Sequence, residues 1–153
     1  MKILVLAMML AAAGSAADEK EVKALPEGPG KDLVVRVCFE CHGAANFRKV
    51  RKDEGEWNDS VADMIDRGAK AKDAEVDALV AYLLKNFGKG VKVQMNSAPL
   101  EEIKAVLGFT VPEAQAVVVW REQNGGYKEW RDVLKAPGVD AAKVEAKKDE
   151  MSF

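Results

Sequence analysis

The 153-residue chain has one histidine, His42, and only two cysteines, Cys38 and Cys41. A single histidine excludes a histidine pair within one chain, and three soft or imidazole ligands fall short of the four that a structural zinc site takes. Neither sign of charge dominates. Lys and Arg number 23 against 25 Asp and Glu, for a formal net charge of −2, which does not point to a polyanionic partner. Long apolar runs are also scarce: "ILVLAMMLAAAG" near the start is too short to cross a bilayer, and no later stretch could do so. Nothing predicts a sheet of consequence, and no tandem repeat at a solenoid period is found.

What is present begins with Met1-Lys2, that apolar run and the small residues Ser15, Ala16 and Ala17. This is the pattern of a secretory signal peptide, residues 1–17, and it predicts an exported, periplasmic chain with no transmembrane segment after cleavage. The charged "DEKEVKALPEGPG" that follows is broken by Pro26, Gly28, Pro29 and Gly30, so residues 18–29 read as a flexible linker.

Helical periodicity then runs through two segments. In residues 30–90, "KDLVVRVCFECHG" forms one helix closed by Gly43, a loop follows, a second helix runs from Trp57 to near Gly68, and the strongest, capped by Asp73, ends at Gly88. In residues 91–153, Pro99 opens a helix with Leu100, Ile103, Val106 and Leu107 on its buried face. Thr110 and Glu113 then stand at capping-box spacing before a longer helix that stops at Asn124-Gly125-Gly126. A second helix pair follows around "PGVD". The fold class expected is all-α, in two small domains.

The chemistry concentrates in "CFECHG". Cys38, Cys41 and His42 form C-x-x-C-H, the attachment sequence of a c-type haem. A spacing of three on a helix sets two thiols on one side, where they can add across the porphyrin vinyl groups, and the next residue offers its imidazole to iron. A disulfide, a thioredoxin-like pair and zinc are the competing readings; the first leaves His42 unexplained, the second wants a βαβ setting, and the third lacks a ligand. One covalently bound haem c also supplies the apolar body that a 60-residue segment needs for a core. Phe47, Trp57 and Tyr82 are expected to pack on it. Met64 is the expected distal iron ligand, with Met95 as its alternative and Met151 behind them. An open sixth position would instead mean ligand binding or peroxidase-like chemistry. Arg48 or Arg51 is a candidate partner for a haem propionate, and "FRKVRK" could steer an acidic redox partner.

With these residues in view, the first half resembles the small class I bacterial cytochromes c, through "GKDLVVRVCFECHG", then Trp57, Val61, Met64, Gly68 and Ala69, then Glu75 to Gly88. That resemblance implies a three-helix haem domain with its terminal helices crossing, His42 as proximal ligand and Met64 as distal one. It also implies a redox partner such as a periplasmic dehydrogenase. The second half resembles a helix-hairpin-helix domain of the kind in bacterial DNA-uptake competence proteins, through "VKVQMNSAPLEEI", "VVVWREQNGGYKEWRDVL" and "APGVDAAKVEAKKD". In that family, backbone N–H groups of the hairpin turns face phosphate. Here the turns are Gly108-Phe109-Thr110 and Pro137-Gly138-Val139-Asp140, and residues 91–153 carry nine basic against ten acidic side chains. The expected function is therefore a non-enzymatic carrier of single electrons, docked on its partner through the C-terminal module. The alternatives are a haem-containing nucleic-acid binder and a ligand-binding or peroxidase-like haem protein.

Overall fold

The computed structural model describes residues 16–153; apart from its last two positions, the expected signal peptide lies outside them. Helices dominate. In chain order they are α1 (Ala16–Ala24), α2 (Lys31–Cys38), α3 (Ala45–Arg48), α4 (Glu54–Asp66), α5 (Asp73–Phe87), α6 (Leu100–Leu107), α7 (Val111–Asn124) and α8 (Ala141–Lys147). Short 3-10 helices cover Trp130–Lys135 and Lys148–Glu150. Strands β1 (Val93–Gln94) and β2 (Met151–Ser152) pair in parallel, so the end of the chain closes onto the start of the C-terminal half. Among the described residues no helix is long and apolar enough to cross a membrane.

Two buried clusters form. The first joins Leu25, Val34, Val37, Phe47, Trp57, Val61, Leu79, Val80, Tyr82, Leu83 and Phe87. The second joins Val93, Met95, Ile103, Leu107, Phe109, Val117, Tyr127, Val133, Val144 and Met151. Each large aliphatic side chain so buried contributes about 1.5–3 kcal/mol. The crossing of α2 on α5 is made possible by Gly30, which has φ 92°; a Cβ there would meet Tyr82 Cβ at 2.8 Å and the Ala78 carbonyl oxygen at 2.9 Å.

Several expectations change. The stretch read as a linker carries α1 and is tied down: the Ala44 N–H donates to Glu21 Oε2 (2.6 Å), Arg48 Nη1 donates to the Ala24 carbonyl (2.6 Å), and Leu25 is buried. Its glycines and prolines begin only at Pro26, after the helix has ended. Helix α2 stops at Cys38, so Cys41 and His42 lie in the turn beyond it. Helix α4 starts before Trp57, because Asp53 and Glu56 form a reciprocal cap: Glu56 N–H to Asp53 Oδ1 is 3.0 Å and Asp53 N–H to Glu56 Oε2 is 2.9 Å. Asp73 is the first residue of α5 rather than its cap, and the Lys72 N–H is satisfied by Glu75 Oε2 at 2.9 Å.

Candidate functional site

A pocket of about 590 Å³ opens between α2, α3, α4 and α5, lined by Cys38, Cys41, His42, Phe47, Trp57 and Met64 together with Val37, Val61, Leu79 and Leu83. Its volume suits a small-molecule or cofactor site. Cys38 and Val37 come from the end of α2, and the His42 N–H donates to the Cys38 carbonyl (3.3 Å), winding the motif back over the pocket. His42 Nδ1 lies 3.1 Å from the Gly43 carbonyl oxygen. A carbonyl only accepts, so in the neutral ring Nδ1 holds the proton and Nε2 keeps its lone pair. Both thiols are free, Cys41 being exposed and Cys38 half-buried; burial pushes the Cys38 thiol up to about 11.

Trp57 contributes an unusual feature. Its Nε1 is buried with no hydrogen-bond partner among the described residues, a loss worth about 1–3 kcal/mol that an occupant with an acceptor would relieve. Met64, half-buried on the last turns of α4, lines the same pocket.

Three candidate residues, Tyr82, Met95 and Met151, lie elsewhere. Tyr82 is buried in the first core and donates its hydroxyl to the Pro26 carbonyl (2.7 Å). Met95 is fully buried in the second core, away from the pocket, and Met151 lies in that core too. Neither arginine faces the pocket: Arg48 Nε donates to Glu102 Oε2 (2.9 Å) and Arg51 Nη2 to Glu102 Oε1 (2.7 Å). The carboxylate of α6 is a buried partner that no propionate need replace. Among the described residues no group of three or more His, Cys, Asp and Glu side chains is arranged to hold a metal ion, so zinc gains no fourth ligand.

In the C-terminal half the two hairpins meet over Glu113, a residue that spacing identified only as a cap. Its Oε2 accepts from the Thr110 N–H (2.7 Å), the Thr110 hydroxyl (2.7 Å) and Lys143 Nζ (2.5 Å), and its Oε1 from the Asp140 N–H (3.3 Å). Burial by itself pushes the carboxyl up, but Lys143, Thr110 and the Asp140 N–H outweigh it and draw it down to about 2. Turn amides expected to face phosphate, those of Thr110 and Asp140, are thus spent on an internal carboxylate.

Comparison with known proteins places this half. The family model of the helix-hairpin-helix motif matches residues 88–152, and that part of the chain is a helix-hairpin-helix domain. It is similar to "ComE operon protein 1" of Bacillus subtilis (strain 168), 32% identical over 65 residues, which are 42% of this chain and 32% of that protein. It is also similar to "Endonuclease/exonuclease/phosphatase family domain-containing protein 1" of Xenopus laevis, 38% identical over 60 residues, 39% of this chain and 11% of that protein. The chain therefore spans about a third or less of the length of these relatives. No solved structure matches significantly.

These matches correct the expected function. The family match falls on residues 88–152, and none of these comparisons lends support to a cytochrome c domain in residues 30–90. The reading of the chain as a carrier of single electrons between a dehydrogenase and another redox protein is overturned. A five-residue motif specifies attachment chemistry, whereas a 65-residue match includes the core and turns of a whole domain.

Proposed function

We propose that this chain is an exported, periplasmic nucleic-acid-binding protein, built as an N-terminal unit of residues 30–90 and a helix-hairpin-helix unit of residues 91–153 that engages duplex DNA. The match of residues 88–152 to the helix-hairpin-helix family carries this reading, and the likeness to ComE operon protein 1 supports it. The chemistry is binding rather than turnover. Modules of this kind hold the phosphate backbone without reading bases, so affinity is independent of sequence and falls steeply with salt.

The pocket in the N-terminal unit is proposed to hold one haem c. Cys38 and Cys41 would carry the thioether links, and His42 Nε2 and Met64 would be the candidate iron ligands. When bound, the group supplies an iron centre whose reactivity is set by that sixth ligand. The fit rests on the convergence of both thiols, the imidazole and Met64 on one pocket, and on the unpartnered Trp57 Nε1. Phe47 and Leu83 would exclude water from the porphyrin faces.

Fluorescence anisotropy with a 30-base-pair duplex tests the binding reading. Binding that weakens by roughly ten-fold or more between 50 and 200 mM salt is expected; no binding at 50 mM would overturn it. Intact mass of the chain purified from its own host tests the cofactor. The mass should exceed the polypeptide by one haem, lost on Cys41→Ala, and a bare polypeptide mass would remove the haem from the account.

A further inference from the structure

A second cleft, of about 500 Å³, lies where α1 faces the end of α7, and Lys20, Lys23, Asn96, Ser97, Arg121 and Glu122 line it over a floor of Gly125-Gly126. Three cations stand there against one carboxylate. Lys20 and Lys23 are both exposed and sit three residues apart, on the same side of α1. Ion pairs among the described residues use other lysines: Lys31, Lys70, Lys89, Lys104, Lys135, Lys143 and Lys147. Arg121 is fixed from below, with Nη1 donating to the Met95 carbonyl at 2.6 Å.

We propose that this cleft is a phosphodiester-backbone subsite, in which Lys20 and Lys23 on α1 and Arg121 on α7 extend the nucleic-acid surface of the helix-hairpin-helix domain onto the N-terminal half. It rests on the nucleic-acid reading above and adds to it two cations, Lys20 and Lys23, that lie outside the matched residues. Three observations carry it. Glu113 already occupies the Thr110 and Asp140 amides, so the hairpins have fewer donors to offer phosphate and positive charge must come from elsewhere. Residues 91–153 have no basic excess of their own, and α1 brings to their edge two exposed ammonium groups that make no ion pair among the described residues. Finally, the Asn96 amide and the glycine N–H groups of the cleft are internally committed: Asn96 Nδ2 donates to the Tyr127 carbonyl (2.8 Å), Asn96 Oδ1 accepts from the Tyr127 N–H (2.7 Å), and the Gly125 and Gly126 N–H groups both donate to the Arg121 carbonyl (3.1 Å). A ligand is therefore held mainly by the three cations, with the Ser97 hydroxyl as a neutral group beside them, which suits a repeating phosphate chain more than a small molecule that needs a directed hydrogen-bond set. Glycine at the floor keeps side chains out of its path, and α1 is held rigid by Glu21 and Leu25.

The test compares the full chain with Lys20→Gln/Lys23→Gln, both exposed positions, with far-UV circular dichroism as the folding control. Duplex affinity at 100 mM salt should fall roughly ten-fold or more, equally for unrelated sequences, and the slope of log K against log salt should become shallower by about 2. Glu122→Gln should tighten binding. Unchanged affinity and slope in the double variant, with the parent chain binding normally, would overturn the subsite and leave the nucleic-acid reading intact. No binding by the parent chain would overturn both. A double variant that keeps its DNA affinity but loses binding to vesicles of phosphatidylglycerol would overturn the proposal in favour of a membrane surface.

Discussion

Glu113 shows how much one side chain can organise. Thr110-x-x-Glu113 is readable as a helix start, and the cap forms, but nothing in that spacing announces Asp140 and Lys143, which arrive from 27 and 30 residues later. The carboxyl lies well below its unfolded range, at about 2 instead of 4.5. A depressed folded value means stability that is fully present above pH 4.5 and is lost as pH falls from there towards 2. Glu113→Gln should lower stability at pH 7 by about 1–3 kcal/mol. Urea unfolding followed from pH 7 to pH 2 should show the two proteins converging at the acid end; parallel curves would remove Glu113 as the acid-sensitive tie. His42 is the opposite case: its neighbours in the chain alone make it a candidate, and the fold sets the Gly43 carbonyl beside its Nδ1.

At the level of elements, glycines separate local from tertiary demands. Gly108 ends α6 with φ 71° and has open space where a Cβ would stand, whereas Gly30, with φ 92°, is pressed against α5. Gly108→Ala should therefore cost only the left-handed backbone penalty, about 1–2 kcal/mol. Gly30→Ala must additionally push α2 away from Tyr82 and should cost roughly 1–3 kcal/mol more. Thermal unfolding of the two variants checks the order, and equal losses would mean that α2 and α5 do not cross as closely as described. Gly108 was recognisable as a helix stop from its place after Leu107. In the sequence Gly30 reads only as a linker breaker, because the partner that makes it necessary lies some fifty residues away. Helix α1 is hidden in the sequence for a related reason: its surface is mostly charged, and what holds it, Ala44 N–H and Arg48, belongs to other elements.

Across the whole molecule the two cores are joined by a charge cluster that no periodicity reveals. Glu102 is buried on α6 between Arg48 and Arg51, and both guanidinium groups also lie within 6 Å of the Phe87 ring centre. Removing the carboxylate leaves two cations facing each other in a poorly solvated seam, so Glu102→Ala should cost about 3–5 kcal/mol. Calorimetry should resolve the single unfolding transition into two, one per core; one unsplit transition with little loss would show that the halves are not coupled through this cluster.

The helices of the second half, the cysteine-histidine motif and the likeness to helix-hairpin-helix domains were all determined by the sequence itself, because each is a pattern of neighbours within one or two turns. Only the tertiary structure decided that Met64 lines the pocket while Met95 is sealed in the other core, that Arg48 and Arg51 serve Glu102, and that α1 bears on the C-terminal half. These are contacts between residues far apart in the chain, settled by which apolar faces bury together and which buried charges must then find a partner.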